Sequence, residues 1–248
     1  MSAAEVRAAG PTVPTPTVVL VHGAFAGADG WSVVIEMLGR RGFPVIAAAN
    51  PLRGVRHDAN YLACLLLSLE GPVVLVGHSY GGSVITNAVT GTVSKVRALV
   101  YVGAFSPDVG ESVVSLAGLF PGSTLGDNLA PPVTLGDGAK DLYIAQNRFH
   151  GQFAADVPEA QTRPMSITQR PIAESAILEL FGEPSWKGIP SWHVDGTADR
   201  NIPAAAMKFM AQRAGAKNTV ELAGASHVPH ISQAKAIADV MEEAARLS

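Results

Sequence analysis

The sequence predicts an α/β fold in which helices cover a doubly wound, mostly parallel sheet of six strands. Two observations support this prediction. Five to six short β-rich runs alternate with helical patterns, as expected for βαβ units. The chain has 248 residues, 48% of them hydrophobic, and can therefore bury one substantial core. Because α/β proteins of this length are routinely single domains, residues 1–248 are expected to form one domain.

Each predicted strand is a short run rich in β-branched or other apolar residues. The six runs are residues 17–21, 44–48, 73–76, 98–102, 191–195 and 219–222. Helical patterns separate them at residues 31–42, 58–69, directly after Ser79, 204–213 and 233–247. The first helix has the features of a sheet-covering helix, with Trp31 and Leu38 on one face and Gly42 as its C-terminal cap.

The alternation breaks between residues 106 and 187, where proline and glycine are frequent and helical fragments occur without intervening strands. An insertion of this length is expected to form a helical cap over the carboxyl edge of the sheet. Its aromatic residues either line a pocket or pack the cap onto the body, and the second role is at least as well supported for each. They are Phe120, Tyr143, Phe149, Phe153 and Trp186.

Composition excludes several classes of partner. The formal net charge is −3, the pI is near 6.1 and no Lys/Arg run occurs, so nucleic acid is not expected as a partner. The single cysteine, Cys64, excludes an intrachain disulfide and metal–thiolate chemistry, and its apolar surroundings predict a buried thiol. The apolar runs fall short of the ~20 residues of a membrane helix, and residues 1–10 lack a signal-peptide core. A soluble, cytoplasmic protein is therefore expected.

The most specific motif is Gly77-His78-Ser79-Tyr80-Gly81, which follows an apolar strand and precedes a helix-compatible run. In a G-x-S-x-G turn, the chain bends sharply from strand to helix and exposes the serine hydroxyl at the sheet edge. The flanking glycines are a steric requirement of this turn. The pentapeptide alone also occurs by chance, but its position after a strand favours Ser79 as a nucleophile over a serine in an ordinary turn.

A serine hydroxyl needs a base within hydrogen-bond reach and an acid that orients the base. His227 is the predicted base, because it follows the last strand in AGASHVPH and its loop can reach the serine. His230 is the alternative, and the pair is not expected to bind a metal without further ligands. The remaining histidines lie inside motifs, a strand, or helical and turn segments: His22, His57, His78, His150 and His193.

Asp199 is the predicted acid, since GTADRNIP places it on the loop after the penultimate strand. The chain order Ser79, Asp199, His227 is the order of nucleophile, acid and histidine that accompanies this serine motif. Asp195, closer to the strand itself, is the main competitor. Asp108, at the start of the insertion, is a more distant one.

A serine that attacks a carbonyl carbon also needs two backbone N–H groups, which stabilise the oxyanion of the tetrahedral intermediate. Tyr80, at the start of the helix after the serine, is predicted to supply one. Ala24 is predicted to supply the other, from the turn at residues 22–25 that follows the first strand. In a doubly wound sheet both turns open into the same crevice at the switch point. Phe25, in the same turn, is the candidate substrate-binding residue.

Four motifs, VLVHGAF, VGHSYGG, GTADRNIP and GASH, occur in this order, each after a strand, and resemble those of the α/β-hydrolase superfamily. The resemblance covers the chain from Thr17 and implies the short, six-strand form of the fold. In outline the chain is similar to plant methyl-esterases, hydroxynitrile lyases and HGAF-type bacterial carboxylesterase-like hydrolases. It implies Ser79, Asp199 and His227 as the catalytic residues, with Ala24 and Tyr80 as the oxyanion donors.

The resemblance has informative departures. Dehalogenases and epoxide hydrolases of the superfamily use an aspartate nucleophile, so those two activities are disfavoured. Hydroxynitrile lyases carry lysine after the catalytic histidine and threonine in the turn, where this chain has Val228 and Gly23. Cyanohydrin cleavage is therefore disfavoured as well.

The predicted function is cofactor-independent hydrolysis of a small, neutral, largely apolar carboxylic ester or lactone through an acyl-enzyme. Two alternatives remain open from the sequence. Peroxide replaces water as the acyl acceptor in cofactor-free perhydrolases and haloperoxidases, and some members of the superfamily resemble ligand receptors that retain the pocket without catalysis.

Overall fold

The computed structural model describes residues 14–89 and 94–247, so the prediction for residues 1–10 lies outside the described residues. Within these ranges the chain forms nine strands: β1 Thr17–Val21, β2 Val45–Ala48, β3 Val73–His78, β4 Val96–Val102, β5 Val133–Thr134, β6 Lys140–Leu142, β7 Ile172–Ala173, β8 Ser191–Gly196 and β9 Asn218–Leu222. The same ranges contain ten α-helices: α1 Ser32–Arg40, α2 Val55–Leu67, α3 Tyr80–Ala88, α4 Val113–Ala117, α5 Gln146–Phe153, α6 Glu159–Thr168, α7 Glu174–Leu178, α8 Ala204–Arg213, α9 Pro229–Ser232 and α10 Ala234–Leu247.

The central sheet has six parallel strands in the order β2-β1-β3-β4-β8-β9. The predicted doubly wound, six-stranded sheet is therefore confirmed. The chain moves outward from β1 to β2 and then returns to add β3 on the other side of β1, which makes β1 and β3 the switch point. Val21 on β1 is paired with Gly77 on β3, so the turns after these two strands lie side by side at the carboxyl edge.

Successive side chains along a strand point to opposite faces of the sheet, so the core has two layers. Val73 and Leu75 of β3 face the layer that contains α2 and α3. Val74 and Val76 of the same strand face the layer that contains α1 and α10. Because both sheet faces are covered, every residue of β3 is buried, which explains its apolar run at residues 73–76.

The insertion between β4 and β8 contains helices α4 to α7 and lies beyond the carboxyl edge of the sheet. It also contains a small antiparallel sheet, β5-β6-β7, that the sequence analysis did not predict. Residues 140–142 lie in the insertion, where only helical fragments were expected, and pair with β5 and β7. Strands of two or three residues are too short to show an alternating pattern, and only neighbouring chain segments stabilise them.

Two sequence predictions about α2 need correction. Cys64 is exposed, so the prediction of a buried thiol is wrong. Leu62 and Leu66 face the core, and a residue two positions from each points to the opposite side of the helix. The helix also begins at Val55 rather than Asp58. Across the described ranges, no helix is both long and apolar enough to cross a membrane.

Candidate active site

Ser79 occupies the sharp turn between β3 and α3. Its backbone has φ 53° and ψ −123°, a conformation that costs residues other than glycine about 1–3 kcal/mol. The turn is possible because its neighbours lack side chains. A Cβ on Gly77 would lie 2.6 Å from the carbonyl carbon of Gly81, and one on Gly81 would lie 2.3 Å from the Val21 oxygen. The strand-to-helix turn therefore fits against β1 only with glycine at both positions.

The side chains of Ser79, His227 and Asp199 form a hydrogen-bonded chain. Ser79 Oγ lies 2.9 Å from His227 Nε2, and His227 Nδ1 lies 2.7 Å from Asp199 Oδ2. Since a carboxylate only accepts, His227 Nδ1–H donates to Asp199 and leaves the Nε2 lone pair for the serine hydroxyl. The imidazole and the carboxylate are almost completely buried, with side-chain exposures of 1% and 0%. The arrangement can transfer a proton from the serine to a histidine held in one tautomer.

Asp199 is itself fixed by its own loop. Its Oδ1 accepts the backbone N–H groups of Asn201, at 2.7 Å, and Ile202, at 3.0 Å. These bonds orient the second oxygen toward His227. The structure does not bring the rival acids into this chain: Asp195 is buried within β8, and Asp108 pairs with Lys187 at 2.8 Å. That ion pair holds the pKa of Asp108 below its usual value.

His78 supports the loop that carries His227. Its Nε2–H donates to the backbone carbonyl of His227 at 2.8 Å. Its ring packs against His227 and His230 at centroid distances of 4.9 and 4.4 Å. Burial, together with the two neighbouring imidazoles, holds the pKa of His78 well below its usual value, so the ring is neutral. His230, the alternative base, is held neutral by burial too, with a pKa of about 3, and stacks on Trp31.

The turn after β1 lies directly against Ser79. A Cβ on Gly23 would lie 2.6 Å from Ser79 Cβ and 3.2 Å from Oγ, so a side chain at this position would displace the turn or the serine. His22 Nδ1 lies 2.9 Å from the Gly23 carbonyl, to which it donates, while its Nε2 accepts the backbone N–H of Asn50 at 3.1 Å. Burial lowers the pKa of His22 to about 4. The Gly23 carbonyl and the Ala24 N–H belong to the same trans peptide and point in opposite directions. The hydrogen bond from His22 to this carbonyl therefore fixes the direction of the Ala24 N–H.

The insertion also holds this turn. The Phe25 N–H donates to the backbone oxygen of Arg170 at 3.0 Å, and Arg170 Nη1 lies 3.2 Å from His22 Nε2. Phe25 has a φ of 61°, which these contacts maintain. Because the Phe25 amide is engaged, it is not free to bind a ligand beside Ser79.

Tyr80 begins α3, where backbone N–H groups have no acceptor within the helix. The Tyr80 side chain is anchored by its hydroxyl, which donates to buried Asp58 at 2.9 Å. Burial and the Asp58 carboxylate raise the pKa of the Tyr80 phenol. Asp58 also accepts the Arg53 N–H at 3.2 Å, so α2, α3 and the segment before α2 are joined at this point.

A cavity of about 280 Å³ opens over Ser79 and is lined mainly by apolar side chains. Ala24, Phe25 and Tyr80 line the part near the serine, and the cap supplies most of the remainder. Among the described residues, no carboxylate, ammonium or guanidinium group lines it. Phe25 also lines a second cavity of about 210 Å³ on its other side. The aromatic cap residues named from the sequence do not line the first cavity; Phe149 and Phe153 are fully buried instead.

Sequence reasoning missed several supporting contacts. The Phe153 ring packs 5.1 Å from that of His227, Asp58 anchors Tyr80, and Arg170 holds the turn after β1. None of these residues lies in a recognisable motif, so the sequence offers no local signal for them. Within residues 14–89 and 94–247, no cluster of three His, Cys, Asp or Glu side chains is arranged to hold a metal ion.

Comparisons with known proteins agree with this architecture. A family model described as the alpha/beta hydrolase family matches residues 18–240. Norfluorocurarine synthase 2 from Strychnos sp is 26% identical over 91% of this chain and 93% of its own length. Methylesterase 2 from Arabidopsis thaliana is 26% identical over 89% of this chain and 92% of its own.

A solved structure has the same fold. The crystal structure of polyneuridine aldehyde esterase superposes with a TM-score of 0.80 at 18% identity, covering 93% of this chain and 99% of that one. At this identity the match shows the fold alone. Together with the family model, which spans nearly the whole chain, it confirms the resemblance drawn from the four motifs. The chain belongs to the alpha/beta hydrolase family.

Proposed function

We propose that this protein is a serine hydrolase that cleaves a neutral, largely apolar carboxylic ester or lactone through an acyl-enzyme. The observation that carries the proposal is the hydrogen-bonded chain from Ser79 through His227 to Asp199 at the base of an apolar cavity. Methylesterase and polyneuridine aldehyde esterase, which are named for ester substrates, are among the similar proteins. The cavity volume of about 280 Å³ favours a small reacting group, and its uncharged lining favours a neutral one.

In the first step Ser79 Oγ attacks the carbonyl carbon while its proton passes to His227 Nε2, 2.9 Å away. The imidazolium that forms donates to Asp199, which is held in place by two backbone amides. Because this pair is buried, its mutual attraction is stronger than it would be in water. The developing oxyanion accepts the N–H groups of Ala24 and Tyr80.

Collapse of the intermediate expels the alcohol, which takes the proton from His227. Water then enters beside His227, which removes its proton as the water attacks the acyl group on Ser79. A second oxyanion forms at the same two amides and collapses to release the carboxylic acid, while His227 returns the proton to Ser79 Oγ. The histidine thus alternates between base and acid without leaving its hydrogen bond to Asp199.

Ser79→Ala tests the proposal directly. It removes the nucleophile from a pre-formed turn, so kcat for p-nitrophenyl butyrate should fall by on the order of 10⁴ to 10⁶ while the folded state is retained. Ser83→Ala is the matched control: Ser83 lies in α3, and its buried hydroxyl has no hydrogen-bond partner among the described residues. A fluorophosphonate should label the wild type and the control, but not Ser79→Ala. Near-normal ester hydrolysis by Ser79→Ala would remove this residue from the mechanism.

A further inference from the structure

We propose that the substrate carries an elongated apolar tail, and that this tail lies in an open groove on the cap. The groove, which we name the tail groove, has a volume of about 490 Å³ and is lined by residues 126, 129–132, 142, 174, 177 and 178. This inference rests on the proposed function and extends it from the reacting group to the remainder of the substrate.

The tail groove adjoins the cavity over Ser79. Four residues line both spaces: Gly126, Leu129, Leu142 and Ile177. The proposal requires that a molecule whose carbonyl carbon lies at Ser79 extends past these four residues to the protein surface. The 280 Å³ cavity holds the reacting group, and the groove provides further room in one direction.

The chemistry of the groove matches a hydrocarbon chain. Beyond the shared residues, its lining consists of Ala130, Pro131, Pro132 and Leu178, with one charged residue, Glu174. The Glu174 carboxylate lies 3.5 Å from Lys140 Nζ and is thus engaged in an ion pair. Leu178 is 55% exposed, a large apolar surface that a bound tail would cover.

The walls of the groove are held by main-chain contacts. Leu129 forms an isolated bridge with Ile144, and the Ala130 N–H donates to the Tyr143 carbonyl at 2.8 Å. Leu142 belongs to β6, which is paired on both sides, with β5 and β7. Because these segments are ordered by their own contacts, a ligand gains contact area with little cost for ordering the protein.

The test measures kcat/KM for two homologous series below their critical micelle concentrations. One series is p-nitrophenyl esters from acetate to decanoate, and the other is acetate esters of alcohols from ethanol to octanol. In the wild type, kcat/KM should rise about two- to fourfold for each methylene that enters the groove, in one of the two series. The series that rises identifies which side of the ester occupies the groove.

Gly126→Phe places a benzyl group at the junction of the two spaces. A Cβ on Gly126 meets no heavy atom within 4 Å, so the substitution is compatible with the backbone there. Gly126→Phe should reduce at least tenfold the ratio of kcat/KM for the longest ester to kcat/KM for the shortest ester, which we call the long-to-short ratio. Gly136→Phe is the matched control: its Cβ is equally unobstructed, it lies outside the groove, and it should keep the wild-type ratio. Fluorophosphonate titration normalises each rate to the number of reactive serines.

A second pair of variants repeats the test on the surface. Leu178→Asp should lower the ratio about tenfold, whereas Leu180→Asp, at another exposed leucine outside the groove, should not. A flat wild-type profile in both series would overturn the inference, while acetate hydrolysis that needs Ser79 would still support the proposed function. The inference would also fail if the tail groove proved to be a dimer contact. In that case kcat/KM would not depend on chain length, and Leu178→Asp would dissociate a dimer formed by the wild type.

Discussion

Buried polar side chains occur in two regions of this protein, and they are partnered differently. At the carboxyl rim of the sheet, both carboxylate oxygens of Asp199 and both ring nitrogens of His227 form hydrogen bonds. Inside β8, only four residues from Asp199, Asp195 Oδ1 has no partner among the described residues, and neither ring nitrogen of His193 has one. Both regions contain one aspartate and one histidine, so residue type and burial do not distinguish them. Their hydrogen-bond partners do.

The difference also sets the charge of each group. Burial, with repulsion from Asp199 and Glu221, raises the pKa of Asp195 well above its usual value. Burial alone lowers the pKa of His193 to about 3. Burial therefore disfavours the charged form of both groups inside β8, whereas the rim is arranged to hold a carboxylate beside an imidazolium. Three predictions test this contrast, beginning with the largest effect.

Asp199→Asn should lower kcat by on the order of 10⁴, because an amide cannot stabilise the imidazolium and can hold His227 in the wrong tautomer. Asp195→Asn should change kcat less than about threefold, because Asp195 lies outside the hydrogen-bonded chain to Ser79 and burial favours its neutral form, which an amide resembles. Steady-state kinetics on p-nitrophenyl butyrate measures both. Equal losses in the two variants would show that the rim and the strand interior are not functionally distinct.

Gly23→Ala tests how tightly the rim is constrained. The new Cβ would lie 2.6 Å from Ser79 Cβ and 2.8 Å from the His78 carbonyl, so the turn that carries Ala24 must move. Displacing one oxyanion donor should lower kcat by on the order of 10² with a smaller change in KM. Gly39→Ala in α1, where a Cβ meets nothing within 4 Å, is the control. Full activity in Gly23→Ala would show that the turn adapts without loss.

His193→Phe concerns the strand interior and affects stability rather than rate. The unfolded histidine takes up a proton below its ordinary pKa of 6.5, whereas the folded one does so only near 3. Its contribution to stability is therefore complete above pH 6.5 and is lost as the pH falls toward 3. At pH 5 the loss relative to pH 8 is about 2 kcal/mol. Urea unfolding at the two pH values measures the free energy of unfolding of each variant. From pH 8 to pH 5 this free energy should fall by about 2 kcal/mol less in His193→Phe than in the wild type. An equal fall in the two proteins would contradict this account.

The sheet was predictable because its strands are apolar on both faces and are separated by clear helical periodicity. The predicted bounds 17–21 match β1, and 98–102 differ from β4 only by a start at Val96. The start of α2 was predicted too late: the helix begins at Val55, and Asp58 lies within its first turn. The Asp58 carboxylate accepts the Tyr80 hydroxyl, a tertiary contact that the local pattern does not reveal.

The candidate site was predictable to the extent that it lies in loops next to predicted strands. Ser79, Asp199 and His227 each follow a strand, and the carboxyl ends of parallel strands share one edge. The cap is different, because its strands have only two or three residues and its packing depends on contacts distant in sequence. The tail groove, formed by residues 126, 129–132, 142, 174, 177 and 178, therefore had no sequence signal.

The two bonds from Arg170 have a consequence for protein engineering. Exchanging residues 103–190 for the insertion of another family member is an obvious way to alter substrate range while leaving the sheet intact. In this protein such a chimera would remove both the main-chain acceptor of the Phe25 amide and the guanidinium beside His22. The graft would have to bring replacements for both, so selectivity and turnover cannot be transplanted here as independent modules.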